Sequence, residues 1–208
     1  MSVATTYDGA SGALQDSSAD GPAPKQIVVA FGFWIFLLSD IVMFSAIFAT
    51  YAVLAQATAG GPGGATLFNQ TRVAIETACL LLSSYSCGLM SLAIKAKHRV
   101  GTYIGAAVTF VLGAAFLAIE INEFVGMVAR GATPERSAFL SAFFTLVGCH
   151  GLHVSIGLLW LTVMMAQVVT RGFHATVLRR LFCFSLFWHA LDIIWVGIFT
   201  VVYLIGAR

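Results

Sequence analysis

Phe139-Leu-Ser-Ala-Phe-Phe-Thr-Leu-Val-Gly-Cys-His150-Gly-Leu-His153-Val154 places two imidazoles one helical turn apart inside an apolar run that continues to Val169. About 20 mostly apolar residues suffice for a helix to cross a bilayer, and this run is longer. Hydrocarbon is a poor solvent for ionisable side chains, so those within a spanning helix face a protein interior, a water-filled cavity or a partner chain. The same combination recurs outward from this stretch. Asp40, Glu76, Glu120, Glu123, His189 and Asp192 all lie within or at the ends of long apolar segments. The pattern predicts an all-α membrane protein with a sparse polar interior.

Five segments are long enough to span: Ile27–Leu54, Val73–Ile94, Gly101–Val128, Phe139–Val169 and Leu178–Ile205. Breakers and charges separate them. Gly60-Gly-Pro-Gly-Gly64 opens the longest connection, Lys95-Ala-Lys-His-Arg99 the second, and Arg130-Gly-Ala-Thr-Pro-Glu-Arg136 the third. Arg171-Gly and Arg179-Arg180 bound the fourth. Seven Lys and Arg residues fall on the side of the N-terminus and four on the other. Basic residues favour the cytoplasmic side, so the N-terminus is expected there and the C-terminus outside. Residues 1–26 read as a disordered tail rich in Ser, Ala, Gly and Asp. Residues 27–208 read as one membrane domain.

Composition narrows the function classes. The chain is 59% hydrophobic and 10% charged, against roughly 45–50% and 25% for soluble domains. A net charge of +2 without a basic, aromatic-interleaved patch gives no footing for nucleic acid. Cys79, Cys87, Cys149 and Cys183 all sit in apolar stretches without C-x-x-C spacing, which argues for packing residues over a zinc or disulfide framework.

The intramembrane polar residues support several readings. His150 and His153 share a helix face and are candidates for haem or metal ligation, for helix or lipid contacts, or for a proton path. A haem held by two axial histidines would pair one of them with His189. Glu120 and Glu123 are also one turn apart, but the Glu-x-x-His strings of a di-metal carboxylate bundle do not occur. Two such carboxylates repel unless a proton or cation intervenes, and Arg130 and Arg136 are the nearest candidates. Glu76 is suited either to proton relay or to a hydrogen bond with a histidine or lipid, and Asp40 to an interhelical bond. His189 and Asp192 can interact along one helix, with Trp188 and Trp195 on the same stripe. No serine or cysteine is expected to complete a hydrolase triad with them, and no phosphate-binding glycine loop is present.

The strings Phe31-Gly-Phe-Trp34, Ser39-Asp40, Phe48-Ala-Thr-Tyr-Ala-Val53, Ala59-Gly-Gly-Pro62, Glu76-Thr77 and Leu80-Leu-Leu-Ser-Ser84 occur in that order. They are followed by Glu120 with Glu123-Phe124, Phe139-Leu-Ser-Ala-Phe-Phe144, His150-Gly-Leu-His-Val154, Ser185-Leu-Phe-Trp-His189 with Asp192, and Phe199-Thr-Val-Val-Tyr203. Together they resemble the third subunit of the haem–copper oxidase superfamily, in the five-span form of bacterial cytochrome bo-type ubiquinol oxidases. The resemblance covers about residues 31–205.

The resemblance implies a supporting subunit of a proton-pumping terminal oxidase in the bacterial cytoplasmic (inner) membrane. It implies that this chain carries no catalytic centre, metal or haem of its own. Haems and copper would belong to the catalytic subunit 1, with subunits 2 and 4 as further partners. It also implies structural phospholipid in a V-shaped cleft between a two-helix and a three-helix group. Glu76, His150 and His153 would then be lipid-cleft or buried polar residues, and Asp40, Glu120, Glu123, His189 and Asp192 polar helix contacts. Subunit III of a cytochrome c oxidase is the alternative, although that form has seven spans. A stand-alone proton-conducting membrane protein is the remaining one.

Overall fold

The computed structural model describes residues 25–60 and 70–206. The expected N-terminal tail, apart from its last two residues, and most of the glycine-rich loop lie outside the described residues. Five helices follow in order: α1 (Lys25–Leu54), α2 (Gln70–Lys95), α3 (Arg99–Ala129), α4 (Ala138–Arg171) and α5 (Ala175–Ile198). A π-helical segment, Phe199–Ile205, prolongs α5. All five are long and apolar enough to cross a membrane, and no strand occurs among the described residues. The 34 residues of α4 reach about 51 Å at 1.5 Å each. That exceeds the roughly 30 Å hydrocarbon layer, so its ends project or the helix tilts.

Local chemistry sets the helix ends. The Ser137 hydroxyl accepts a hydrogen bond from the Leu140 amide at 3.2 Å and opens α4. The His98 ring does the same for α3, its Nδ1 accepting from the Gly101 amide at 3.0 Å. Gly172, at φ 71°, closes α4 in a backbone conformation that glycine adopts cheaply. Lys97 closes α2 at φ 54°, with the His98 amide donating to the Ala93 carbonyl at 2.9 Å.

Packing follows small residues and ring shapes. A Cβ on Gly105 would sit 2.8 Å from the Met90 Cβ, so α2 and α3 approach closely and form a long antiparallel hairpin. The Ser86 hydroxyl donates across it to the Gly105 carbonyl at 3.0 Å. Gly157 of α4 makes room for the Trp188 ring of α5, which would lie 2.9 Å from an added Cβ. In lipid, such van der Waals fits and interhelical hydrogen bonds hold helices together, because the tails are as apolar as the side chains.

α5 is the axis of the bundle, touching α1, α2 and α4. Half of its most apolar window is buried, against 11% for α1, which makes α1 the outermost helix. Phe31, Trp34, Leu38, Val42 and Val53 of α1 are exposed, a surface suited to lipid or a partner chain. The packing differs from the expected division of two spans from three. α1 leans on α4 and α5, whereas α2 pairs with α3 and α5, so the first two spans do not form a group of their own. Connectivity suggests neighbours along the chain. Here the long first connection releases α1 to pack against later helices.

Candidate functional site

Three polar groupings lie within the bundle. The first joins α2 and α3 and contains Glu76, Glu120 and Glu123, which are 0, 4 and 5% exposed; His150 of α4 is likewise fully buried. Glu120 reaches across to Gly151, where a Cβ would stand 3.0 Å from its Oε1. Glycine at 151 is therefore what admits this carboxyl. The three carboxyls are close enough to sense one another's charge, and Arg72 and Arg130 face Glu123 from the helix ends. Neither oxygen of Glu76 or Glu120, nor either nitrogen of His150, has a hydrogen-bond partner among the described residues.

His150 is enclosed by rings. Its centroid lies 5.3 Å from that of Trp195, 5.9 Å from Phe116 and 6.4 Å from Phe44. These three rings offer it no lone pairs. Among the described residues no group of three or more His, Cys, Asp or Glu side chains is arranged to hold a metal.

The second grouping places His153 on α4 beside Asp40 on α1. The His153 Nδ1–H donates to the Cys149 carbonyl at 2.7 Å. Nδ1 is thereby occupied, and the Phe44 ring packs 5.2 Å away. The two histidines that the sequence puts on one face thus diverge. His150 enters the core between α3 and α5, and His153 is half-buried beneath α1.

The third lies on the α2–α5 seam. Ser84 Oγ and His189 Nδ1 are 2.7 Å apart, and Asp192 sits against both residues. A serine does meet this His–Asp pair, a contact the sequence did not reveal. The arrangement nevertheless differs from a hydrolase triad, because the Asp lies beside the serine and on the same helix as the histidine. His189 also faces the α2 seam while His150 faces Trp195, so the pairing required for a two-histidine haem is not formed.

Of the expected residues, the structure brings Glu76, Glu120 and Glu123 into one buried group and buries His150 among aromatic rings. It separates Asp40 with His153 from His189 with Asp192. Sequence reasoning missed the partners supplied by α2. Trp188 donates its indole N–H to the Ser83 hydroxyl at 3.1 Å, and Trp195 to the Thr77 hydroxyl at 3.0 Å. The signal was partial, since Thr77 and Ser83 are six residues apart while Trp188 and Trp195 are seven apart, both about two turns. Tyr51 was also missed. Its buried hydroxyl lies 2.8 Å from where a Cβ on Gly206 would be, so glycine at 206 leaves room for α1 to pack against the end of the π-helical segment.

These features define a polytopic membrane subunit in which aromatic rings and small residues enclose the polar interior. The chain belongs to the cytochrome c oxidase subunit III family, whose model matches residues 16–207. A relative in Pseudomonas aeruginosa, named cytochrome bo(3) ubiquinol oxidase subunit 3, is 56% identical over 179 residues, covering 85% of each chain. Its namesake in Pseudomonas putida is 49% identical over 175 residues, covering 84% of each chain. The quinol oxidase subunit 3 of Bacillus subtilis is 46% identical over 175 residues, covering 84% of this chain and 86% of its own.

Proposed function

We propose that this chain is the third subunit of a bacterial quinol oxidase, a complex that oxidises ubiquinol and reduces oxygen in aerobic respiration. The observation that carries the reading is the match, along most of the chain, to relatives bearing that name. The five spans favour the quinol-oxidase form over the longer cytochrome c oxidase form.

The work of the chain is structural. Its ionisable residues gather on helix seams, and among the described residues no three His, Cys, Asp or Glu side chains are grouped to hold a metal. Haems and copper belong to the catalytic subunit 1, with subunits 2 and 4 completing the assembly. The chain's exposed apolar faces, α1 above all, meet that assembly and structural phospholipid. Its N-terminus is cytoplasmic and its C-terminus outside, in keeping with the Lys and Arg excess on the N-terminal side.

Affinity purification of the full chain in mild detergent tests this reading. The expected result is co-purification of larger haem-containing subunits with quinol oxidase activity. Recovery with a cytochrome c-oxidising complex, or without any haem protein, would contradict it.

A further inference from the structure

A recess of about 380 Å³ lies on the α2–α5 seam. Its polar point is Ser84, His189 and Asp192, and from there it runs past Gly88 to Leu89 and Leu92, about two helical turns along α2. Leu89 and Leu92 are exposed, and a Cβ on Gly88 would meet nothing within 4 Å. The Gly88 position therefore contributes open space and no packing. Hydrogen bonding at the polar point is incomplete. His189 Nδ1 is engaged with Ser84 Oγ at 2.7 Å, while Nε2 makes no hydrogen bond among the described residues. Asp192 Oδ1 is buried and also has no partner there.

Depth decides which chemistry can complete this site. Ser84 stands about 21 Å from the first residue of α2 and about 17 Å from its last, at 1.5 Å per residue. The polar point is thus near the middle of a hydrocarbon layer roughly 30 Å thick. A phosphate or other ion is costly to bring there, and no Lys or Arg lines the recess to receive one. The matching occupant is uncharged, mostly apolar, and carries an oxygen at one end. The Ser84 hydroxyl lets the imidazole meet such an oxygen in either of two forms. When Ser84 donates to Nδ1, Nε2–H donates to a carbonyl. When Ser84 donates to the neighbouring Asp192 carboxylate, Nδ1–H donates to Ser84 Oγ, and Nε2 accepts from a hydroxyl.

We infer that this recess binds the headgroup of a membrane quinone at His189, with the first isoprenoid units lying past Gly88 along Leu89 and Leu92. A quinone ring is a neutral, tail-bearing headgroup whose oxidised form asks for a donor and whose reduced form supplies one. The volume falls in the range of small-ligand sites, about 300–1,000 Å³. A partner helix packed on this seam would bring one fixed polar group, for which a nitrogen of fixed role suffices. The inference rests on the proposed function for the identity of the ligand, since that reading puts ubiquinol in the same membrane.

The test is photolabelling of the intact, detergent-purified complex with an azido-ubiquinone, followed by mass spectrometry of this chain's peptides. Label is expected within residues 84–92 or 185–192, displaced by excess decyl-ubiquinone and not by phosphatidylglycerol. His189→Phe removes the nitrogen and should weaken labelling roughly tenfold, the worth of about one hydrogen bond. Gly88→Leu, whose side chain enters open space, should block labelling, whereas Leu152→Phe on the exposed face of α4 should change nothing. No label on this chain, label that decyl-ubiquinone does not displace, or undiminished labelling of His189→Phe would overturn the assignment. So would efficient cross-linking of Gly88→Cys to a partner chain, which would put a helix in the recess. Subunit composition is read for every variant, so that loss of label is scored only on complete complexes. Absent label from a wild-type complex that oxidises ubiquinol overturns the quinone site and leaves the proposed function standing.

Discussion

Two indole hydrogen bonds hold α5 to α2, and both depend on a hydroxyl one helix away. Removing one partner should cost about 1 kcal/mol, since hydrogen bonds between membrane helices average well below 2 kcal/mol. A double-mutant cycle of Thr77→Val with Trp195→Phe, read by thermal unfolding of the complex, should therefore give a coupling of about 0.5–1.5 kcal/mol. Additive losses would show that the bond contributes nothing. Glu120 tests the acidic grouping in the opposite sense. Glu120→Gln keeps the shape while removing a buried carboxyl that neighbours two others, so it should leave the complex as stable as before or more so. A marked loss of assembly would mean that a partner subunit uses the charge. These partnerships were poorly legible in the sequence. The presence of Glu76, Glu120, Glu123 and His150 in lipid-length segments was plain. Which of them meet depends on how far each helix is rotated, which no local pattern fixes.

Helix pairs are decided by where the chain lacks side chains. Gly105 and Gly157 permit two close approaches, α2 to α3 and α4 to α5. Gly157→Val would drive a methyl group into the Trp188 ring, and overpacking of this kind costs typically 1–3 kcal/mol. Thermal unfolding should fall accordingly, while Gly32→Ala, whose added Cβ meets nothing within 4 Å, should be close to neutral. Equal effects at the two positions would contradict the packing described. Length and hydropathy made all five helices readable, with ends differing by only a few residues. The differences arise at caps such as His98 and Ser137, which lengthen helices beyond their apolar cores. The neighbours of α1 were not readable, because a long connection leaves the choice of partner to tertiary packing.

At the scale of the whole molecule, a buried polar interior and an apolar exterior suit a chain that supports a larger assembly. The resemblance carried by Glu76-Thr77, His150-Gly-Leu-His153 and Ser185-Leu-Phe-Trp-His189 pointed to the family, and the matches along the chain bear this out. What the pattern of residues left open was whether the histidines could serve as ligands, a question of three-dimensional neighbours. The most direct test is the absorption spectrum and activity decay of the oxidase complex purified from cells lacking this chain. The account predicts haem bands per catalytic subunit equal to those of the complete complex, with faster loss of activity during turnover. Disappearance of a haem band together with this chain would contradict it.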